Sequence, residues 1–331
     1  MKSLTAWPRN VALYLFLLCW TVPSTVLAQE PTIRLAGVVS EERIAPLLEA
    51  LMARIPRAKL SYERLSAAQI AAAAKQSANA PFDIALLSSP DIAVSVANEG
   101  YAASDETVGA VAPVQWRNEV FGFWPDPAVI VLRRDVFTER MPRTRIELVR
   151  ALEQNSSRLS RRVGIVNIGI DDVSYLLASQ DSIRTSLYWR LMRAFGGAKA
   201  RIYDTTDDLM DTLQAGELDV LYNVPLSTLP IGENMLEGME IIAPQDYVLA
   251  VPWVAFMPKG APNLGDARVV LRALLSPVSK PALSEVGLTY SKGFPGLDSL
   301  QSIELGPELL VFRDTIKRSK FLDIWFQMVV D

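Results

Sequence analysis

The chain contains no histidine and a single cysteine, Cys19. These two facts remove most side-chain catalysis at once. A Ser-His-Asp relay or a Cys-His pair needs an imidazole, and His-ligated zinc and near-neutral proton shuttling rely on the same ring. What remains is carboxylate, lysine or tyrosine chemistry, or reversible binding with no chemistry. The acids that could serve are Asp171-Asp172 and Glu217. Asp171 and Asp172 stand where a helix would begin, and acids in a first turn complement the helix dipole. Glu217 and Asp219 flank a strand start and suit a surface turn. The balance favours a protein that is not an enzyme, with carboxylate catalysis as the rival.

Four short segments carry groups suited to holding a ligand: Ser40, Ser88-Ser89, Asn167 to Gly169, and Tyr222-Asn223. Each follows an apolar run that reads as a strand. In open α/β sheets ligands sit beyond the carboxyl ends of the strands, where hydroxyls, amides and helix N-terminal N–H groups can donate to a carboxylate or phosphonate. The plainer account is that Ser40 and Ser88 cap helices and Asn167 satisfies a turn. As a set of four at equivalent strand ends, ligand contact is the better expectation. Trp116, Trp124 and Trp253 lie in or beside extended apolar runs; Trp124 and Trp253 could floor a cleft, or simply pack.

The elements that must position these groups can be traced along the chain. The apolar run Thr32–Val39 leads into Ser40-Glu-Glu, after which Ile44, Leu47, Leu48 and Leu51 share one helical face. A strand over 59–63 precedes an Ala-rich helix over 66–77, and a strand over 82–87 precedes a helix through Glu99. Later strands are expected at 163–168, 201–203 and 218–222, with helices at 145–152, 172–177, 184–195 (stopped by Gly196-Gly197) and 205–215. Such alternation predicts an α/β fold with mainly parallel, doubly wound sheets.

Two segments break the alternation. Asn118–Trp124 and Ala128–Leu132 are extended and separated by Pro125-Asp-Pro127, and Tyr247–Met257 is extended and apolar. These read as crossings between two lobes. Lobe one is then discontinuous, residues 29–124 with 250–331, and lobe two is 125–249. Helices at about 266–275, 280–285 and 308–330 close the chain, the last expected to pack its apolar stripe on lobe one.

The first 28 residues predict the compartment. Lys2 and Arg9 precede an apolar run, Val11–Trp20, and small residues end at Val26-Leu27-Ala28. A basic start, a short apolar core and a small residue at the cut describe a secretory signal peptide. The run is shorter than the roughly 20 residues of a bilayer span. Cys19 follows Leu18 where a lipoprotein site wants a small residue, so no lipid anchor is expected, and the mature chain has no thiol. Formal charge is −4, moving to −6 once Lys2 and Arg9 are removed. That acidity argues against nucleic acid as a partner, and a monomer is expected.

Several stretches, taken in order, resemble a known family. They are Phe82-Asp-Ile before Ser88-Ser89, the Trp124 crossing, Met141–Val149, Tyr175–Asp181, Gly216–Val220, Lys259–Asn263, Ala267 to Leu274-Leu275-Ser276-Pro277, Ala282-Leu283 and Val286-Gly287-Leu288. Together they resemble bacterial periplasmic solute-binding proteins of the type II class serving ABC importers, in the group that includes ferric-iron binders. The resemblance spans most of residues 32–290. It implies two lobes joined by crossing strands and a ligand held in the cleft. It also implies a periplasmic location and an ABC permease as partner; a membrane sensor kinase is the alternative partner. Ferric binders of that group carry adjacent tyrosines shortly after the strand that here ends at Tyr222. This chain has Pro225 and Leu226 near that place, neither an oxygen donor for Fe(III). A small organic ligand, with no metal and no cofactor, is therefore expected.

Overall fold

The computed structural model describes residues 32–55, 59–76, 79–229, 236–286 and 297–330. Residues 1–28, where a signal peptide is expected, with Cys19, and the pair Gly287-Leu288 lie outside them. Among the described residues no helix is long and apolar enough to cross a membrane.

In chain order, β1 (Thr32–Gly37) leads to α1 (Glu41–Arg54), β2 (Lys59–Arg64) to α2 (Ala67–Ala74), and β3 (Ile84–Leu87) to α3 (Pro90–Asn98). A short α4 (Glu106–Gly109) and β4 (Val114–Trp116) precede the long β5 (Val120–Arg133). A second series follows: α5 (Arg145–Gln154), β6 (Val163–Val166), α6 (Asp172–Arg184), α7 (Leu187–Gly197), β7 (Arg201–Tyr203), α8 (Thr206–Gln214), β8 (Val220–Pro225) and β9 (Met239–Ile242). The return strand β10 (Val248–Phe256) leads to α9 (Leu264–Leu275), α10 (Lys280–Glu285), β11 (Leu300–Ser302), α11 (Glu308–Val311) and α12 (Thr315–Val329).

Local chemistry starts the helices where the sequence places them. Ser66 and Gln69 form a capping box at α2, and Thr144 and Thr205 accept from the third backbone N–H of α5 and α8. All four residues of β3 are buried, as a central strand covered on both faces requires.

The strands lie in the order β2-β1-β3-β10-β5-β8-β6-β7. β1 pairs parallel with β2 and β3, and β6 pairs parallel with β7 and β8. The two series thus repeat one arrangement, β2-β1-β3 and β7-β6-β8. Between them run β5 and β10, antiparallel to each other and to their outer neighbours. Residues 120–127 of β5 pair with β4 and β10, whereas residues 128–133 pair with β8 and β9. The ladder is therefore unbroken from one series to the other, and β5 alone carries it across.

Two expectations need correction. The Pro125-Asp-Pro127 break does not exist, because β5 runs straight through it. Proline is tolerated there because residues 124–127 of β5 pair with β10 on one side and, among the described residues, with no strand on the other, so the stretch has an edge. The final helix is not one piece packed on the first series: α11 does lie against α3, with Leu309 and Val94 in one core, but α12 does not. The split falls at Asp314, which caps α12 by accepting from Lys317 N–H. Phe321, Trp325 and Val329 enter the core built from β6, β8, α5, α6 and α7. A Cβ at Gly196 of α7 would lie 2.3 Å from the Met328 carbonyl oxygen, so the glycine lets the two helix backbones meet. An apolar stripe shows that a helix packs, not on what.

Candidate functional site

The register brings several of the selected residues together. β1 and β3 are neighbours and parallel, so Ser40 and Ser88 leave the sheet side by side. Leu87 faces Val254 on β10, and Trp253 faces Trp124 on β5, so the serine end of β3 abuts the tryptophan pair. A register shift between Trp253 and Val254 marks this point. Trp253 is buried and Trp124 half-buried.

The helix-cap account of the serines fails on one point. Ser40 precedes α1 and Ser89 precedes α3, yet neither makes a side-chain cap hydrogen bond. Ser88 stands one residue too early to cap.

From the second series, the turn after β8 reaches the same place. Ser227 donates its N–H (3.0 Å) and its hydroxyl (2.5 Å) to the carboxylate of Asp126 on β5, and the Trp253 indole N–H reaches that carboxylate at 3.4 Å. Burial pushes the Asp126 carboxyl above its ordinary value, against the Ser227 and Trp253 bonds and the charge of Arg43. Arg43, from the first turn of α1, donates to the Ser227 carbonyl.

Tyr222 and Asn223 have a different setting. The pairing of Val129 with Val224 and of Val131 with Leu221 leaves Ile130 opposite both of them, a β-bulge, and Asn223 takes φ +53°. Asparagine tolerates this left-handed conformation better than most residues. The Tyr222 hydroxyl accepts from Arg145 Nε (2.8 Å) and donates to Asp181, to which Tyr247 also donates. The Asn223 amide donates to Asp181 at 3.0 Å. Arg145 further holds the Tyr247 carbonyl (2.8 Å) and Asp246 (3.2 Å). Burial alone would depress the Arg145 guanidinium; Tyr222, Asp181, Tyr247 and Asp246 outweigh it and raise its pKa. Burial also raises the Tyr222 phenol well above its ordinary range. A cavity of about 30 Å³ beside Tyr222 and Asn223, bordered also by Ser174, Tyr188 and Trp325, has room for a water or two.

Asn167 and Gly169 are engaged in local hydrogen bonds. Asn167 donates to Asp204 (2.8 Å) and accepts from Gly169 N–H (3.0 Å), which is the turn its plainer reading predicts. The Gly169 carbonyl accepts from Arg318 at 3.3 Å, and Phe326 of α12 packs close by. Asp171 accepts from Ser174 N–H, so it caps α6 as first-turn acids do.

Sequence reasoning missed Arg43, Asp126 and Ser227, the Arg145–Asp181 cluster, and the pair Arg313–Asp91 (2.9 Å) that ties the segment before α12 to α3. One signal existed: Asp126 stands in an otherwise apolar run, where a buried acid needs partners. Among the described residues no three His, Cys, Asp or Glu side chains are grouped to hold a metal.

No family model matches the chain, and no curated protein matches it. Solved structures do. The substrate binding protein of an ABC transporter from Agrobacterium tumefaciens superposes with a TM-score of 0.78 at 22% identity, covering 92% of this chain and 96% of that one. The chain has the type II periplasmic-binding-protein fold. Within that fold, AfuA from Actinobacillus pleuropneumoniae, with fructose-6-phosphate bound, gives a TM-score of 0.67 at 10% identity over 90% of this chain and 98% of its own. Iron-bound HitA from Pseudomonas aeruginosa gives 0.65 at 14% identity over 90% and 99%. The type II fold thus accounts for the paired series and the antiparallel strands between them.

Proposed function

We propose that this chain is a periplasmic solute-binding protein that captures a small organic ligand between two lobes and hands it to an ABC-type importer. The first lobe takes residues 29–124 and the chain from about 250, the second takes 125–249, and α12 belongs with the second. The observation that carries the reading is the set Ser40, Ser88 and Ser89 at adjacent strand ends, beside Trp124 and Trp253, with no cap bond from Ser40 or Ser89. Hydroxyls at two helix N-termini suit an oxyanion or a hydroxylated solute, and Trp124 offers a face for the organic part. Tyr222 and Asn223 are tied to Asp181, and Asn167 and Gly169 hold the turn after β6.

Ferric iron fits poorly. Pro225 is buried in β8 and Leu226 follows it, and the phenol of Tyr222 is held by Arg145 and Asp181. The acids Asp126, Asp171 and Asp181 are likewise taken up by internal hydrogen bonds, which supports binding without turnover.

A thermal-shift panel on the mature protein tests this, with fructose 6-phosphate, other phosphate and phosphonate esters, carboxylates, amino acids, polyamines, sugars and ferric citrate. A solute at 100 times its Kd should add about 2.7 kcal/mol of stability. Turnover of a panel compound without saturable stabilisation would sink the proposal.

A further inference from the structure

Arg43 occupies the first turn of α1, directly after Glu41 and Glu42. A cation is disfavoured at that end of a helix, and burial lowers its pKa against the pull of Asp126 and Asp207. Two of its contacts join distant parts of the chain. Nε donates to the carbonyl of Val286, which ends α10, at 2.9 Å. Nη2 donates to the carbonyl of Ser227, in the turn after β8. Ser227 then donates twice to Asp126 on β5, which Trp253 on β10 also reaches. One chain of hydrogen bonds therefore runs from the first-lobe wall, across to the second, and down to both strands that join them. Asp126, Ser227 and Trp253 are all buried.

We infer that Arg43 is a positioning residue that holds the two lobes together before any ligand arrives, and so sets the ratio of closed to open protein. The inference rests on the capture reading only in that the lobes must be able to part. Opening would expose the Ser227 carbonyl and hydrate Asp126, and would strip the guanidinium of the acceptor it reaches in the second lobe. A charged donor on a buried carbonyl is among the stronger hydrogen bonds. A protein held shut this way admits ligand slowly and releases it slowly, because both steps wait for the same rupture.

Double electron–electron resonance on the ligand-free mature protein tests this directly. Spin labels at Ala72→Cys in α2 and Gln214→Cys in α8, both exposed, report the separation of the lobes; the only native cysteine, Cys19, leaves with the leader. The expected result is a dominant short distance in the parent protein. Arg43→Ala should move the closed-to-open ratio about ten-fold toward the long distance. Arg43→Lys keeps the charge but cannot span both carbonyls, and should fall between. If Arg43→Ala fails to fold, Arg43→Lys and Arg43→Gln carry the comparison. Identical distributions in parent and variants, or a parent already at the long distance, overturn the inference. No ligand is needed, so the two readings fail separately. A distance that ignores Arg43 yet shortens with a panel solute sinks the bridge and keeps capture; a shift with Arg43 and no response to any solute does the reverse.

Discussion

Arg145 Nε lies 3.2 Å from Asp181, and neither side chain exposes any surface to water. The pair sits at the start of α5 and inside α6, with Tyr222 and Tyr247 closing around it and the guanidinium 3.7 Å from the Tyr247 ring centre. It pins β8 and the entrance of β10 to one point, just where the chain leaves the second series of elements.

Removing one partner should be costly because it strands the other charge. Arg145→Ala is expected to lose about 3–5 kcal/mol, and Tyr222→Phe about 1–3 kcal/mol, in urea denaturation. Since the Tyr222 hydroxyl is engaged internally, Tyr222→Phe should change stability far more than the affinity for any solute found. A stability within about 0.5 kcal/mol of the parent for Arg145→Ala would show that the cluster is not closed in solution.

Asp126 has its folded pKa raised by burial, so over the pH range between its unfolded and folded pKa the native state keeps a proton that the unfolded state releases. Stability should then fall, relative to Asp126→Asn, as pH rises through the usual carboxylate range and above it. The difference between the two proteins, measured by denaturation across pH 3.5 to 8, should slope against the parent with rising pH. A slope of opposite sign would mean that the bonds from Ser227 and Trp253 outweigh the cost of burial.

The tie between Arg313 and Asp91 crosses from the segment before α12 to α3. Asp91 is nearly buried and its second carboxylate oxygen has no hydrogen-bond partner. Arg313→Ala should cost about 1–3 kcal/mol, and adding Asp91→Ala should recover part of it. A double-mutant cycle with no coupling between the two would refute the tie.

The packing of α12 on α7 gives two further variants. Trp325→Ala should lose about 3–5 kcal/mol from the second core. Gly196→Ala forces a methyl against the Met328 carbonyl and should cost about 1–3 kcal/mol. Hydrogen exchange should locate both losses in α6, α7 and α12; losses centred on α1 and α9 would contradict this placement.

At the site, Ser40→Ala should weaken a panel hit about ten-fold by isothermal titration with the thermal midpoint nearly unchanged, and Trp124→Ala should weaken it as much while also lowering the midpoint, because Trp124 packs on the first core. Asn167→Ala should leave affinity within about two-fold. The reverse pattern would move the site to the Asn167 turn.

The alternation of apolar runs with helical periodicity was enough to determine an α/β chain with two series of elements and an extended passage in each direction, because burial leaves its period in local sequence. The strand-end serines and the tryptophans of the crossings were legible for the same reason. What local sequence could not decide was partnership. Pro125 and Pro127 read as a break, and only the pairing of this stretch with β10 shows that the strand continues. The stripe of α12 was plain, but a stripe fits any apolar groove, and the close approach at Gly196 assigns it to α7. Arg43 and Ser227 are 184 residues apart, and Arg145 and Asp181 lie in separate helices. Hydrogen bonds between distant polar groups have no period, so they arise only once tertiary packing brings their elements together.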